Sequence, residues 1–472
     1  MRILTARMNK AVVQFVSRDQ NGFVPDGFIA ENIMRLQLIQ NLIEDENQEA
    51  LFVFLDMEKA FDRCSWEFLI KGLEEIGFDS TFIDYIKLAY SSDHPPSRQM
   101  YVNGFLGPSF QLGSGVAQGC PISPLLFLII AEPLTRLIAR NPNIQGVKTN
   151  NIDVNGGPKA HKISQFADDS TLILRLRDIT YALSNITTWC QATSMKENAA
   201  KREILLLGSL KGHPERLPAA LTLGTTPTKD GETIRALGVP MGNNFDELHW
   251  WTERYRVVKQ RVTHWNGLAR LSLTGRNILL QSILYGSMRY WFFTLTVPDS
   301  IVNMIELDAK ELLWASNPEL HGDQDGTSNG SNRYIFKEAS WLPHKQGGGS
   351  IMHLLSHIKA FQAQWVIRYL DPRDSPWKDV LDHWFTSADR LSRGALMSSK
   401  GHRLIRRLPM SCTYLHACFA SFYELGITQD LSLLTYQSAG EPLFKNPRFS
   451  IPLQSENIEE WVHGLHTDVK AA

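Results

Sequence analysis

Three aspartates stand where apolar stretches end or turn. Asp56 closes the run Leu51-Phe52-Val53-Phe54-Leu55, and Asp168 and Asp169 follow Phe166-Ala167 between two strand-like stretches. Adjacent residues in a strand point to opposite faces, but a hairpin turn lets neighbouring carboxylates reach one pocket. Clustered carboxylates repel one another unless a cation neutralises them. Hard oxygen ligands suit Mg²⁺, which also takes oxygens from substrate phosphates, and Mn²⁺ can stand in for it. A pair of such ions about 3.5–4 Å apart stabilises the attacking and leaving oxygens of phosphoryl transfer. Either feature alone, an Asp-Asp turn or an aspartate at a strand end, is more often structural.

The elements that must position these side chains are legible from periodicity. Ile33, Leu36, Ile39 and Ile43 recur at helical spacing within residues 30–50, and Leu51–Leu55 reads as a buried strand. Trp66–Ile76 reads as a helix stopped at Gly77, Pro124–Ala139 as a buried helix and Thr180–Ala192 as another. Ile163–Phe166 and Thr171–Leu176 read as strands joined by the tight turn Ala167-Asp168-Asp169-Ser170, and Ile204–Leu207 as a further strand. Strands and helices mix without strict alternation, which points to an α+β fold. From about residue 250 the chain turns to long helical stretches. Asn317–Asn332 (NPELHGDQDGTSNGSN) is the clearest linker, and the part beyond it is mainly helical.

A third element narrows the chemistry. Gly113-Ser114-Gly115-Val116-Ala117-Gln118-Gly119-Cys120-Pro121 leads into the buried helix; its glycines permit close backbone approach to a ligand. The signatures LDMEKAFD (Leu55–Asp62), GVAQGCPISPLLF (Gly115–Phe127) and FADD (Phe166–Asp169) occur in this order. Together they resemble the reverse transcriptases of LINE-type (non-LTR) retrotransposons. Further stretches resemble the same family: Gln20–Pro25 a fingers motif, Lys196–Lys201 a lysine-containing palm motif and Leu237-Gly238-Val239 a primer grip. Trp265-Asn266 with Leu271–Arg276 is similar to its thumb. Trp341, Gly347-Gly348-Gly349 and Ala363-Gln364-Trp365 are similar to its C-terminal region.

The resemblance implies a right-hand polymerase: partial fingers at 1–50, a palm with an antiparallel sheet and inserted fingers elements at 51–245, a helical thumb at 246–316, and a helical C-terminal region of unknown role at 333–472. It implies an RNA template, a DNA primer and dNTPs as partners, and two Mg²⁺ ions held by Asp56, Asp168 and Asp169. The primer 3′-hydroxyl would attack the α-phosphate in line, with pyrophosphate leaving. Phe61 would exclude a ribose 2′-hydroxyl, or else simply pack in the core. Gln118 and Gly119 would line the nascent base pair, and Lys59 would join them in binding substrate. Lys201 would protonate pyrophosphate, or else be an ordinary surface lysine.

Charge supports a nucleic-acid partner only locally. The formal net charge is -1, which by itself argues against one. Between Trp251 and Tyr290, however, Arg254, Arg256, Lys259, Arg261, Arg270, Arg276 and Arg289 face a single acid, Glu253. An imbalance of that size marks a phosphate-binding patch. Arg403, Arg406 and Arg407 form a weaker one. Five cysteines without a CxxC pair point to free thiols in a reducing compartment, including those of the short cluster Cys412, His416 and Cys418. The longest apolar run, Leu125–Ala131, is far too short to span a bilayer.

Departures from the family pattern set a second expectation. Asp26-Gly27 stands where the family usually has Gly-Arg, Glu197 where it has an apolar residue and Arg202 where it has threonine. The chain also starts just before the fingers motif, which suggests an N-terminally truncated or decayed copy. The competing readings are a catalytically dead remnant that at most binds nucleic acid, and a maturase-like reverse transcriptase of group II introns.

Overall fold

The computed structural model describes residues 1–93, 95–152, 158–268, 271–314, 340–386, 405–425, 428–429 and 449–450. Asn317–Asn332, Arg270 and Arg403 lie outside the described residues. The described residues gather into two compact units. One joins Met1–Phe245 to the segment that starts at Asp374, and the other holds most of the chain from Asp246 onward.

The first unit opens with helices α1 (Arg2–Phe15) and α2 (Ile29–Asp45), strand β1 (Glu49–Leu55) and helices α3 (Ala60–Arg63), α4 (Trp66–Ile76) and α5 (Ser80–Lys87). Four short strands follow: β2 (Ser97–Arg98), β3 (Tyr101–Val102), β4 (Phe105–Leu106) and β5 (Phe110–Gln111). Next come α6 (Ser123–Arg140), β6 (Val147–Ile152), β7 (Pro158–His161), β8 (Ile163–Phe166), β9 (Asp169–Leu174) and α7 (Ile179–Thr193). The unit continues through β10 (Glu203–Gly208), α8 (Ala219–Thr222), β11 (Thr233–Ala236) and β12 (Val239–Gly242).

Its centre is a four-stranded antiparallel sheet in the order β10-β1-β9-β8. The unbroken apolar run of β1 is needed because both faces of that strand are covered. Leu51, Val53 and Leu55 enter the core with Leu69 and Leu73 of α4, Leu126 and Ile130 of α6 and Ile186 of α7. Phe52, Ile173 and Leu205 are fully buried on the opposite face, where α2 lies against β8 and β10. Helix α4 begins where the Ser65 hydroxyl accepts the Phe68 amide at 3.2 Å and ends at Gly77. These elements hold β1 and the β8–β9 hairpin in register.

Two details differ from the sequence reading. Asp169 pairs with Phe166, so only Ala167 and Asp168 lie between the strands, and Asp169 is already part of β9. Charge and turn composition cannot separate a two-residue turn from a four-residue one when the strand begins with an aspartate. The helix Pro376–Thr386 packs on α2 and β6 of the first unit. Asp379, on this helix, receives Arg18 and Lys159, the latter at 2.8 Å. The sequence division had grouped this helix with everything else beyond residue 333.

The second unit is helical: α9 (Glu247–Leu268), α10 (Leu273–Leu279), a π-turn stretch at Leu280–Tyr285, α11 (Gly286–Phe292) and α12 (Asp299–Trp314). The helices Leu354–Leu370 and Thr413–Glu424 pack against each other. Trp251, Tyr255, Met288, Phe292 and Ile305 share its core. The Trp365 indole and the Tyr414 hydroxyl both donate to the Phe293 carbonyl, at 2.8 and 2.6 Å. Cys412 and Cys418 are buried, and the His416 ring bonds the Pro409 carbonyl at 3.2 Å. No described helix is long and apolar enough to cross a membrane.

Candidate active site

Register brings the distant aspartates together. Leu55 is opposite Ser170, and continuing the β1–β9 ladder by one residue sets Asp56 opposite Asp169. Directly opposed residues of an antiparallel pair project on the same face, here the face of Phe54 and Thr171. Like charges in that relation destabilise a sheet. Between β8 and β9 only Ala167 of the two turn residues has a positive φ, 59°, the type II′ pattern that suits the strand twist. Alanine is strained there where glycine would be relaxed. The turn leaves Asp168 half-exposed at the hairpin tip.

The Asp169 residue is open to solvent, yet its carboxyl end is crowded. Desolvation, then the charge of Asp168 and that of Asp56, push its pKa up from 3.8 to about 6. The Lys201 ammonium, itself exposed, stands 3.7 Å from the Asp56 carboxylate. Asp56, Asp169 and Lys201 line an open pocket of about 490 Å³ together with Phe54, Arg235 and Leu237. Arg235 was not singled out from the sequence. It lies two residues before Leu237-Gly238, so charge beside that hairpin turn was the available signal. Among the described residues, no three His, Cys, Asp or Glu side chains stand close enough together to hold a metal ion by themselves. Repulsion between uncompensated carboxylates acts to keep them apart.

The glycine-rich loop docks beside the segment that follows Asp56. The Gly115 amide donates to the Cys64 carbonyl and the Val116 amide to the Phe61 carbonyl, both at 2.8 Å. The Trp66 indole donates to the Gly115 carbonyl at 2.7 Å, and the Ser114 hydroxyl to the Asp62 carbonyl at 2.8 Å. Gln118 and Gly119 are left exposed, as is Lys59. Phe61 stacks on Phe127 at 4.8 Å and meets Phe23 edge-on at 6.1 Å, with part of its ring open. Lys59, Phe61, Gln118, Gly119 and Asp168 are not among the residues lining the pocket.

The model of the family described as reverse transcriptase (RNA-dependent DNA polymerase) matches residues 1–241, half of the chain. The chain belongs to the reverse transcriptase family. Its relatives place it with the LINE-type, non-LTR members. The Transposon TX1 uncharacterized 149 kDa protein of Xenopus laevis is 24% identical over 95% of this chain and 32% of its own length. The Pol polyprotein of the type-2 retrotransposable element R2DM of Drosophila melanogaster is 26% identical over 45% of this chain and 19% of its own. The type-1 element R2 of Popillia japonica supplies a third, at 27% identity over 42% of this chain and 27% of that protein. The chain therefore spans about a third or less of the curated relatives it matches. Among solved structures, telomerase from Candida albicans with a fragment of telomeric RNA matches 83% of this chain and 58% of that chain, at 12% identity and a TM-score of 0.29.

The family departures have local physical accounts. Val24-Pro25-Asp26-Gly27 forms a type II turn: the Gly27 amide donates to the Val24 carbonyl at 2.9 Å and Asp26 has φ 62°. A Cβ at Gly27 would lie 2.1 Å from the Asn21 carbonyl oxygen, so this backbone cannot carry an arginine there. Glu197 and Arg202 compensate each other. The guanidinium grips both carboxylate oxygens, at 2.7 and 2.8 Å, and also donates to the Leu221 carbonyl at 2.6 Å. Side-chain exposures of 5% and 12% make this a buried bidentate pair. It closes the ends of the loop in which the Asn198 amide donates to the Asp56 carbonyl at 2.8 Å. Breaking the pair by Arg202→Met is expected to cost about 3–5 kcal/mol in urea unfolding, because a buried carboxylate is left alone. Glu197→Leu combined with Arg202→Met should recover most of that loss. Equal stability of the single variant and the parent would show that the pair is not buried in solution.

The cations between Trp251 and Tyr290 are less free than their sequence density suggests. Arg254, Arg256, Lys259 and Arg261 are exposed on α9. Arg256 meets Glu253 at 3.0 Å, and Lys259 meets Asp308 of α12 at 2.9 Å. Arg254 lies over the Trp250 ring at 5.6 Å. Arg276 is half-buried and donates to the Leu313 carbonyl at 3.3 Å. A window of sequence cannot see an acid contributed by another helix.

Proposed function

We propose that this chain copies an RNA template into DNA, extending a primer 3′-hydroxyl with dNTPs beside Asp56, Asp168 and Asp169. The observation that carries the reading is the convergence of Asp56 and Asp169 just past the end of the β1–β9 ladder, at an open pocket where desolvation and the charges of Asp168 and Asp56 raise the pKa of Asp169. A concentration of negative charge of that kind fits hard divalent cations, so Asp56, Asp168 and Asp169 would hold two Mg²⁺ or Mn²⁺ ions. Bound there, the cations would supply charge neutralisation for the triphosphate. In the reaction the primer 3′-oxygen bonds to the α-phosphorus, the bond to the bridging oxygen breaks, and pyrophosphate departs.

The chain's own residues divide the remaining work. Lys201, 3.7 Å from the Asp56 carboxylate, would give its proton to pyrophosphate. The open part of the Phe61 ring, braced by Phe127 and Phe23, would press on the sugar where a ribose carries its 2′-hydroxyl. Lys59, Gln118 and Gly119 would meet the incoming nucleotide and its base pair. Residues 1–50 would then be fingers, 51–245 palm with inserted fingers elements, 246–316 thumb and 333–472 a further helical region, with the helix Pro376–Thr386 bracing the palm.

Primer extension on an RNA template with Mg²⁺ tests the reading directly. Templated DNA synthesis supports it. Tight, salt-dependent binding without any incorporation would instead favour a non-catalytic remnant, the alternative to which Asp26 lends weight. On the thumb, Arg254→Ala and Arg261→Ala should each flatten the log-log dependence of binding on salt by about one unit, since each removes one phosphate contact. Arg256→Ala should change it less, because Glu253 already holds that side chain. Filter-binding across a salt series measures this; slopes unchanged from the parent's in all three variants would remove α9 from the interface.

A further inference from the structure

The side chain of Gln20 is almost wholly enclosed, 2% exposed, and both polar atoms of its amide bond backbone. Its Oε1 accepts the Ala167 amide at 2.9 Å and the Gly22 amide at 2.7 Å, and its Nε2 donates to the Ala167 carbonyl at 3.1 Å. The amide thus brackets the strained residue of the hairpin turn from both sides. The backbone around it makes a single parallel bridge to the open edge of β8: the Gln165 amide donates to the Asp19 carbonyl at 2.8 Å, and the Asn21 amide to the Gln165 carbonyl at 3.1 Å. Gly22 lets the chain come this close, since a Cβ there would lie 2.0 Å from the Ala167 nitrogen. Asn32 completes the network, donating to the Gln165 carbonyl at 2.8 Å and accepting from the Asn21 side chain at 2.8 Å.

We infer that Gln20 is a positioning residue for the Asp168–Asp169 hairpin: it holds Ala167 at its positive φ and so sets where the two carboxylates stand. The inference rests on the reading of Asp56, Asp168 and Asp169 as the polymerase carboxylates. A primary amide accepts from one backbone N–H and donates to the carbonyl of the same residue at once, with no change of protonation. Glutamate in its ionised form loses the donor, and methionine of similar length loses both functions. Without the clamp, alanine has no reason to stay in a conformation it disfavours. The turn then relaxes and the carboxylates leave the geometry that a cation needs.

The test uses the full chain and two readouts that together separate a positioning role from a merely structural one. Mn²⁺ binding is followed by electron paramagnetic resonance, with Asp169→Asn defining the signal that belongs to this site. Primer–template binding without divalent cation is followed by fluorescence anisotropy and reports whether the fold survives. Gln20→Met should weaken the Asp169-dependent Mn²⁺ site about 10-fold or more, the usual scale for removing a residue that orients metal ligands. Primer–template affinity should stay within about twofold, well inside that scale. Adding Ala167→Gly to Gln20→Met should restore much of the Mn²⁺ affinity, because glycine takes the positive φ without help. Mn²⁺ affinity unchanged by Gln20→Met overturns the inference alone. So does a loss that tracks primer–template binding and is not rescued by glycine. A wild-type chain whose Mn²⁺ binding does not depend on Asp169 overturns the underlying reading of the site, and this inference with it.

Discussion

Asp169→Asn is expected to lower primer extension by on the order of 10³-fold or more while leaving the metal-free protein at least as stable as before. The two effects have one origin. Asp169 lies near Asp56 just past the end of the β1–β9 ladder and follows Asp168 in the chain, and desolvation, then the charges of Asp168 and Asp56, resist its ionisation. An amide of the same shape relieves that repulsion, so the fold gains. It also removes a ligand charge on which cation binding, and therefore transfer, depends. Asp56→Asn should behave alike, and it additionally leaves Lys201 without its neighbour at 3.7 Å. Single-turnover extension and thermal unfolding, measured on the same preparations, check both halves. Extension within about threefold of the parent would remove Asp169 from the chemistry, far short of the expected loss. A large loss accompanied by a lower melting temperature would mean that the side chain is structural.

Much of this site could be read from residue order, and the reason is physical. Five consecutive apolar residues ending in Asp56 allow few placements other than a strand buried on both faces, and the Asp-Asp pair between two strand-like stretches leaves a hairpin. What escaped was whatever depends on contacts between distant segments. Gln20 reads only as the first residue of a fingers-like motif until its amide is seen around Ala167. Glu197 and Arg202 look like two separate departures from the family pattern, yet they are a single bidentate pair. A matched pair of this kind is not what unrelated, uncompensated substitutions would produce, and it weakens the case that the loop this pair closes has decayed. Asp308 removes part of the charge that a count along α9 assigns to Lys259. The helix Pro376–Thr386 returns to the first unit across more than a hundred residues of other structure, which local periodicity cannot report.

The second large effect is a coupling between protons and the divalent cation. In the metal-free chain Asp169 titrates near 6, whereas an unfolded chain would release that proton near 3.8. Below the lower value both states hold the proton and the group contributes nothing to the pH dependence. Between the two values the folded chain binds more protons than the unfolded one, so stability falls as pH rises, and above about 6 the loss is complete. Cation binding needs the carboxylate, so it must expel the proton in the same window. The Mg²⁺ concentration for half-maximal thermal stabilisation should therefore climb about tenfold for each unit of pH below 6 and level off above it. Asp168→Asn should shift the bend to lower pH, since the Asp168 charge is the larger of the two neighbouring contributions, and Asp56→Asn should shift it less. Mg²⁺ titrations of the melting temperature from about pH 5 to about pH 8 read this without requiring turnover. A Mg²⁺ requirement that stays flat over that range would mean that the carboxyl is not crowded by charge, and the physical case for a cation at this hairpin would lose its main support.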